Sequence, residues 1–108
     1  MSLDYSEIAI GDPKMVIARL TARIGQLNFS TRNIRVGLTA SPEATFLQQG
    51  GDGRWSVMKL LYVTRSFAKA RQMGELLRAY DAKLFVDDEQ MGLMGPHAST
   101  YYAYALIR

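Results

Sequence analysis

The chain has 108 residues, 48% of them hydrophobic and 21% charged, which fits a single soluble globular domain with one core. It has no cysteine, which excludes disulfides and thiolate metal sites, and no apolar run near the roughly 18–20 residues that a membrane-spanning helix requires. Its formal net charge of +3 permits contact with a polyanion such as nucleic acid, and the lack of a basic start followed by an apolar stretch points to the cytoplasm.

Met1-Ser2-Leu3 carries no structural signal. Asp12-Pro13 places a good N-cap before a residue suited to the first helical turn. Val16, Ile17, Leu20, Ile24 and Leu27 then recur at helical spacing, predicting a helix to about Asn28, with Lys14, Arg19, Arg23 and Gln26 mostly off the apolar stripe. Asn33 to Thr39 alternates as a strand, with Ile34, Val36 and Leu38 on one face and Arg35 and Gly37 on the other. Ser41-Pro42 repeats the cap-then-proline signal and predicts a short helix to about Gln49. Gly50-Gly51-Asp52-Gly53 reads as a turn; it lacks the lysine and following helix of a phosphate-binding loop.

Trp55 to Val63 reads as a second strand. Ser66 caps a helix to about Asp81, whose buried stripe is predicted to be Phe67, Ala70, Met73, Leu77 and Tyr80. Leu84-Phe85-Val86 fits either a helix extension or a strand. Asp87 to Thr100 reads as a loop, and Tyr101 to Ile107 as a central strand covered on both faces. The expected architecture is α/β: a small three- to four-stranded sheet with helices packed against it and a tyrosine-rich strand at the C-terminus. Residues 1–108 form one domain, with an N-terminal helical segment at 1–30 and the α/β core at 33–108.

The order of these pieces resembles the GIY-YIG nuclease superfamily. A strand ending in glycine is followed by Ser41-Pro42-Glu43, a glycine-rich turn, a tryptophan-bearing strand and a helix containing Ala70-Arg71-Gln72-Met73. The closer likeness is to a permuted subgroup whose tyrosine-rich strand lies last, after a Gly-Pro loop. Gly95-Pro96 followed by Tyr101-Tyr102-Ala103-Tyr104 looks like that strand, and Arg35-Val36-Gly37 like the second signature strand. The resemblance covers about residues 33–108. It implies phosphodiester hydrolysis, in which a tyrosine or a tyrosine-activated water attacks phosphorus, an arginine steadies the developing charge, and a glutamate holds one divalent metal ion.

The chain departs from that pattern at the groups that carry the chemistry. Ala44-Thr45-Phe46 stands where the family's arginine belongs, and no base occurs between Arg35 and Arg54. Gly74 stands at the metal-binding glutamate's position, with Glu75 about 100° further around the helix. Arg35 replaces the second signature tyrosine. Loss of a cation or a metal ligand removes about 3–4 kcal/mol of transition-state stabilisation, by analogy with oxyanion donors.

The leading expectation is therefore a non-catalytic nuclease-fold domain that needs no cofactor and binds nucleic acid or protein where an active relative would hold its substrate. Arg54, Lys59, Arg65, Lys69, Arg71 and Arg78 are the candidate nucleic-acid contacts, against the plainer reading of a solvated face. The competing expectation is an active endonuclease. In it Glu75 holds Mg or Mn, Tyr102 or Tyr104 assists attack, and Arg35 or Arg71 replaces the lost cation; sheet packing is the favoured reading of each tyrosine, and ion pairing with Arg71 and Arg78 the favoured reading of Glu75. A third reading is an assembly protein that docks through its N-terminal helix, homo-oligomers included. His97, Trp55 and Asp87-Asp88-Glu89 have plain explanations as a loop residue, a core residue and a solvated loop.

Overall fold

The computed structural model describes residues 2–5, 8–31, 33–50, 55–80 and 100–108. The cap signals act as the sequence suggests. Asp12 accepts from the Lys14 N–H at 3.0 Å and opens α1 (Pro13–Ser30), with Pro13 in the first turn, where a helix has no use for its missing N–H. Thr31 closes α1 by donating its backbone N–H and its hydroxyl to the Leu27 carbonyl, at 2.9 and 2.6 Å. Pro42 begins α2 (Pro42–Gly50), and the Ser66 hydroxyl caps α3 (Phe67–Tyr80) by accepting from the Lys69 N–H at 3.2 Å.

Four strands form one mixed sheet: β1 (Ser2–Asp4), β2 (Ile34–Thr39), β3 (Val57–Thr64) and β4 (Tyr101–Ile107), in the order β1-β3-β4-β2. β4 lies between β3 and β2 and runs antiparallel to both, while β1 joins the far edge of β3 in parallel. The small α/β architecture and the interior position of the tyrosine-rich strand agree with the sequence reading. β1 is an addition to it. Ser2↔Val57, Leu3↔Met58 and Asp4↔Lys59 set its register, and Lys59 Nζ meets Asp4 Oδ2 at 2.8 Å. Residues 84–86, Asp87 to Ser99 and Gly51 to Arg54 lie outside the described residues.

Period-two alternation sorts the side chains onto two faces. On one, Leu20 and Ile24 of α1 and Ala70, Met73 and Leu77 of α3 pack on Val36, Leu38, Leu61, Tyr62, Tyr101, Ala103 and Ala105. The small Ala103 and Ala105 let the helices approach β4 closely, and Phe67 tilts against Tyr101 with ring centroids 5.6 Å apart. On the other face, Phe46 of α2 packs with Trp55, Met58, Leu60, Tyr104 and Leu106.

A β-bulge aids this division. Leu60 pairs with Tyr104 but Tyr62 pairs with Ala103, so Leu61 is the extra residue and both Leu61 and Tyr62 join the α1/α3 core. The Tyr62 hydroxyl then donates to the Gly11 carbonyl just before the Asp12 cap. Gly11 has φ +118°, a conformation glycine adopts without strain. Tyr80 departs from the predicted stripe: it is 47% exposed, because it lies at the last position of α3 and reaches sideways, its hydroxyl near Gly25 of α1.

Candidate functional site

The groups singled out for catalysis fall on opposite sides of the sheet. Arg35, Tyr102 and Tyr104 point to the α2 face, as their alternation with Val36, Ala103 and Ala105 requires. Glu75 is on α3, which covers the other face, and it is exposed while Met73 and Leu77 on either side of it are buried. Gly74, at the position aligned with a metal-binding glutamate, is buried. The structure thus joins Arg35 with the two tyrosines and sets Glu75 apart from them. Among the described residues no three His, Asp or Glu side chains gather where they could hold a metal ion.

On the α2 face the joined groups are engaged in packing. Tyr104 has no solvent exposure, and its ring lies over the backbone of Gly37, its register partner. A Cβ at position 37 would stand 2.5 Å from the Tyr104 hydroxyl oxygen and 2.7 Å from Cζ, so glycine is required by this close approach. The Arg35 guanidinium lies 5.7 Å from the ring centroid of the buried Trp55, a cation–π contact of about 0.5–1 kcal/mol. Beyond Gly37, Thr39 and Thr45 share a buried hydroxyl–hydroxyl bond of 2.6 Å, and Thr39 also accepts from the Ser41 N–H at 3.0 Å. This pair ties the end of β2 to α2.

Tyr102 is half-buried there, with Glu43 of α2 and Tyr5 close by. Burial first, then the charge of Glu43 and the neighbouring Tyr102, push the Tyr5 phenol above the usual tyrosine value. Two phenols and a carboxylate thus share this face with Arg35, and α2 itself contains no base.

The α1/α3 side has the opposite character. Lys14, Arg19 and Arg23 lie on α1 and Lys69, Arg71 and Arg78 on α3, against the single acid Glu75 on either helix. Of the candidate nucleic-acid contacts, Lys69, Arg71 and Arg78 belong to this layer, and Arg65 adjoins it. Arg65 and Lys69 line a recess with Thr64, Thr100 and Gly11, where β3 ends and both helices begin. Lys59 enters a separate trough on the far flank of α1, beside Arg19 and Arg23. Arg54 lies outside the described residues. Because Gly25 faces Tyr80, the arginines on the opposite flank of α1 face the β1 edge of the sheet. The three bases of α1 were absent from the predicted set. Their signal is the lack of any Asp or Glu from Pro13 to Pro42, a stretch that holds five bases.

No helix among the described residues is long and apolar enough to cross a membrane. Compared with known proteins, the chain matches no family model, no curated protein and no solved structure.

Proposed function

We propose that this chain is a non-catalytic nucleic-acid-binding module whose contact surface is the α1/α3 layer. One observation carries the reading: two helices packed on the same side of the sheet bear six bases and one acid. Phosphate contacts from Lys and Arg supply most sequence-independent affinity for nucleic acid, so a cation-rich, acid-poor helical layer suits a polyanionic backbone. Under this reading the likeness to the GIY-YIG superfamily is one of scaffold, and no cofactor is needed.

Fluorescence anisotropy with labelled single- and double-stranded oligonucleotides tests the proposal. Binding should weaken steeply with salt, the logarithmic slope growing by about 0.7–0.9 for each phosphate neutralised. Replacing Arg71 and Arg78 by Glu should abolish it at moderate salt. Absence of binding even at low salt would sink the proposal. The competing endonuclease is tested in the same tubes by adding Mg or Mn: cleavage lost in Glu75→Ala would establish it.

A protein partner is the second reading, favoured by Phe29 and Met15 on the outward side of α1, which are 94% and 82% exposed. Light scattering of the purified chain distinguishes a self-associating form of this reading, because a monomer at all concentrations excludes it.

A further inference from the structure

α1 and α3 run in parallel, and the seam between them changes character along its length. Both helices begin where β3 ends, and there Arg65 and Lys69 share a recess with Ile10 and Gly11. Near their far ends the Tyr80 hydroxyl lies close to Gly25. Lys14 stands eleven positions before Gly25, and Lys69 eleven before Tyr80. Each base is therefore about three turns back on the same flank of its helix as the residue at that contact. One end of the seam thus carries Lys14, Arg65 and Lys69. Among the described residues the acid beside them is Asp12, whose carboxylate caps α1 by accepting from the Lys14 N–H.

The other end of the seam carries two aromatic rings. Phe29 follows Gly25 by one turn and is 94% exposed, and Tyr80 is 47% exposed. The core gives neither ring a role, since α1 and α3 meet the sheet through Leu20, Ile24, Ala70, Met73 and Leu77. Tyr5 is the other exposed aromatic among the described residues, and it lies on the α2 face beside Glu43.

Rings left in water on a base-rich layer match one kind of polyanion better than another. Cations that follow a phosphate backbone, joined with aromatic side chains on which bases stack, are the means by which proteins hold single strands without reading sequence. In a duplex each base is covered by its neighbours and its pairing partner, so a protruding ring finds no open face; an unpaired base offers one. From Lys14 to Phe29 is about 22 Å along the helix axis, so the two ends of the seam would meet different nucleotides of one strand.

From this arrangement we propose that the α1/α3 seam takes an unpaired nucleic-acid strand, with phosphates at Lys14, Arg65 and Lys69 and bases stacked on Phe29 and Tyr80. The inference rests on the nucleic-acid reading above and deepens it from a polyanion to a single strand.

The experiment measures anisotropy, at one salt concentration, with one sequence as a single strand, the same sequence as a duplex, and an abasic strand of equal length. The intact single strand should bind about tenfold more tightly than either of the others. Phe29→Ala should weaken its binding about tenfold, and Phe29→Trp should restore it. On the abasic strand the parent and both variants should bind alike, because no base is there to stack. Salt-sensitive binding that is equal for all three nucleic acids, or that survives undiminished in Phe29→Ala/Tyr80→Ala, overturns the inference and leaves the nucleic-acid reading standing. Self-association lost in Phe29→Ala, with strand binding unchanged, also overturns it and gives Phe29 to a protein contact. No binding of any oligonucleotide at low salt overturns both.

Discussion

The two faces of the sheet divide the protein's work. On the α2 face the side chains are locked together: Tyr104 over Gly37, Arg35 over Trp55, Thr39 on Thr45. On the α1/α3 face the inner side of each helix is packed, and the charged side chains are directed outwards and along the flanks. A tyrosine-rich strand therefore reports on packing here, and the helices that cover its other side bear most of the described positive charge. Residue types alone would assign those roles the other way round.

Breaking the α2 face should have the largest effect. Gly37→Ala drives a methyl into the fully buried Tyr104 ring and should cost about 2–3 kcal/mol, read as a lower urea midpoint with unchanged slope. A stability loss below half a unit would mean that Tyr104 swings aside and that this face is looser than described. Thr45→Val should cost about 1 kcal/mol, because the buried Thr39 hydroxyl loses its hydroxyl partner and keeps only the bond it accepts from the Ser41 N–H. The double variant with Thr39→Val should cost less than the sum of the two single changes.

High pH probes the joint between the bulge and α1. Burial first holds the Tyr62 phenol above its usual value of 10.0, with Asp12 adding to the shift and a hydrogen bond with Thr64 opposing it. The neutral phenol is the form that donates to Gly11. Since the folded value exceeds the unfolded one, this contribution is fully present below about pH 10 and is lost as pH rises through the folded value. Urea midpoints measured between about pH 9 and pH 11 should fall for the parent and fall less for Tyr62→Phe.

The smallest stability effect should come from the outward charges. Arg71→Gln/Arg78→Gln should change stability by less than about 0.5 kcal/mol per site. The same variant should reduce the salt slope of oligonucleotide binding by roughly 1.5 if both side chains meet phosphates. An unchanged slope would remove α3 from the contact surface and leave α1 to account for binding.

Much of the fold was legible in the sequence because its signals are local. Asp12-Pro13, Ser41-Pro42 and Ser66 each set a helix start through contacts spanning two to four residues. Alternation alone puts Tyr102 and Tyr104 on one face and Tyr101 on the other, as the sheet has them. β1 was not legible, since Ser2-Leu3-Asp4 is too short to alternate and its partner lies far along the chain. Neither was the side of the sheet on which α3 rests, because the helical period fixes which residues face inwards and says nothing of which face they meet. That one unknown separates Glu75 from Arg35 and the tyrosines. Leu61 shows the same limit: an extra residue in a strand has no compositional mark when it is as apolar as its neighbours.

The bond between Asp4 and Lys59 spans a sequence separation of 55 residues. Loop closure over such a distance is entropically unfavourable, and during synthesis the earlier strand emerges long before its mate. The rim it forms is thus a late event in folding, and by the same logic an early one to fray. Amide hydrogens of Ser2 to Asp4 should exchange well before those of the inner strands, so the wall of the trough can be watched opening while the rest of the protein stays shut.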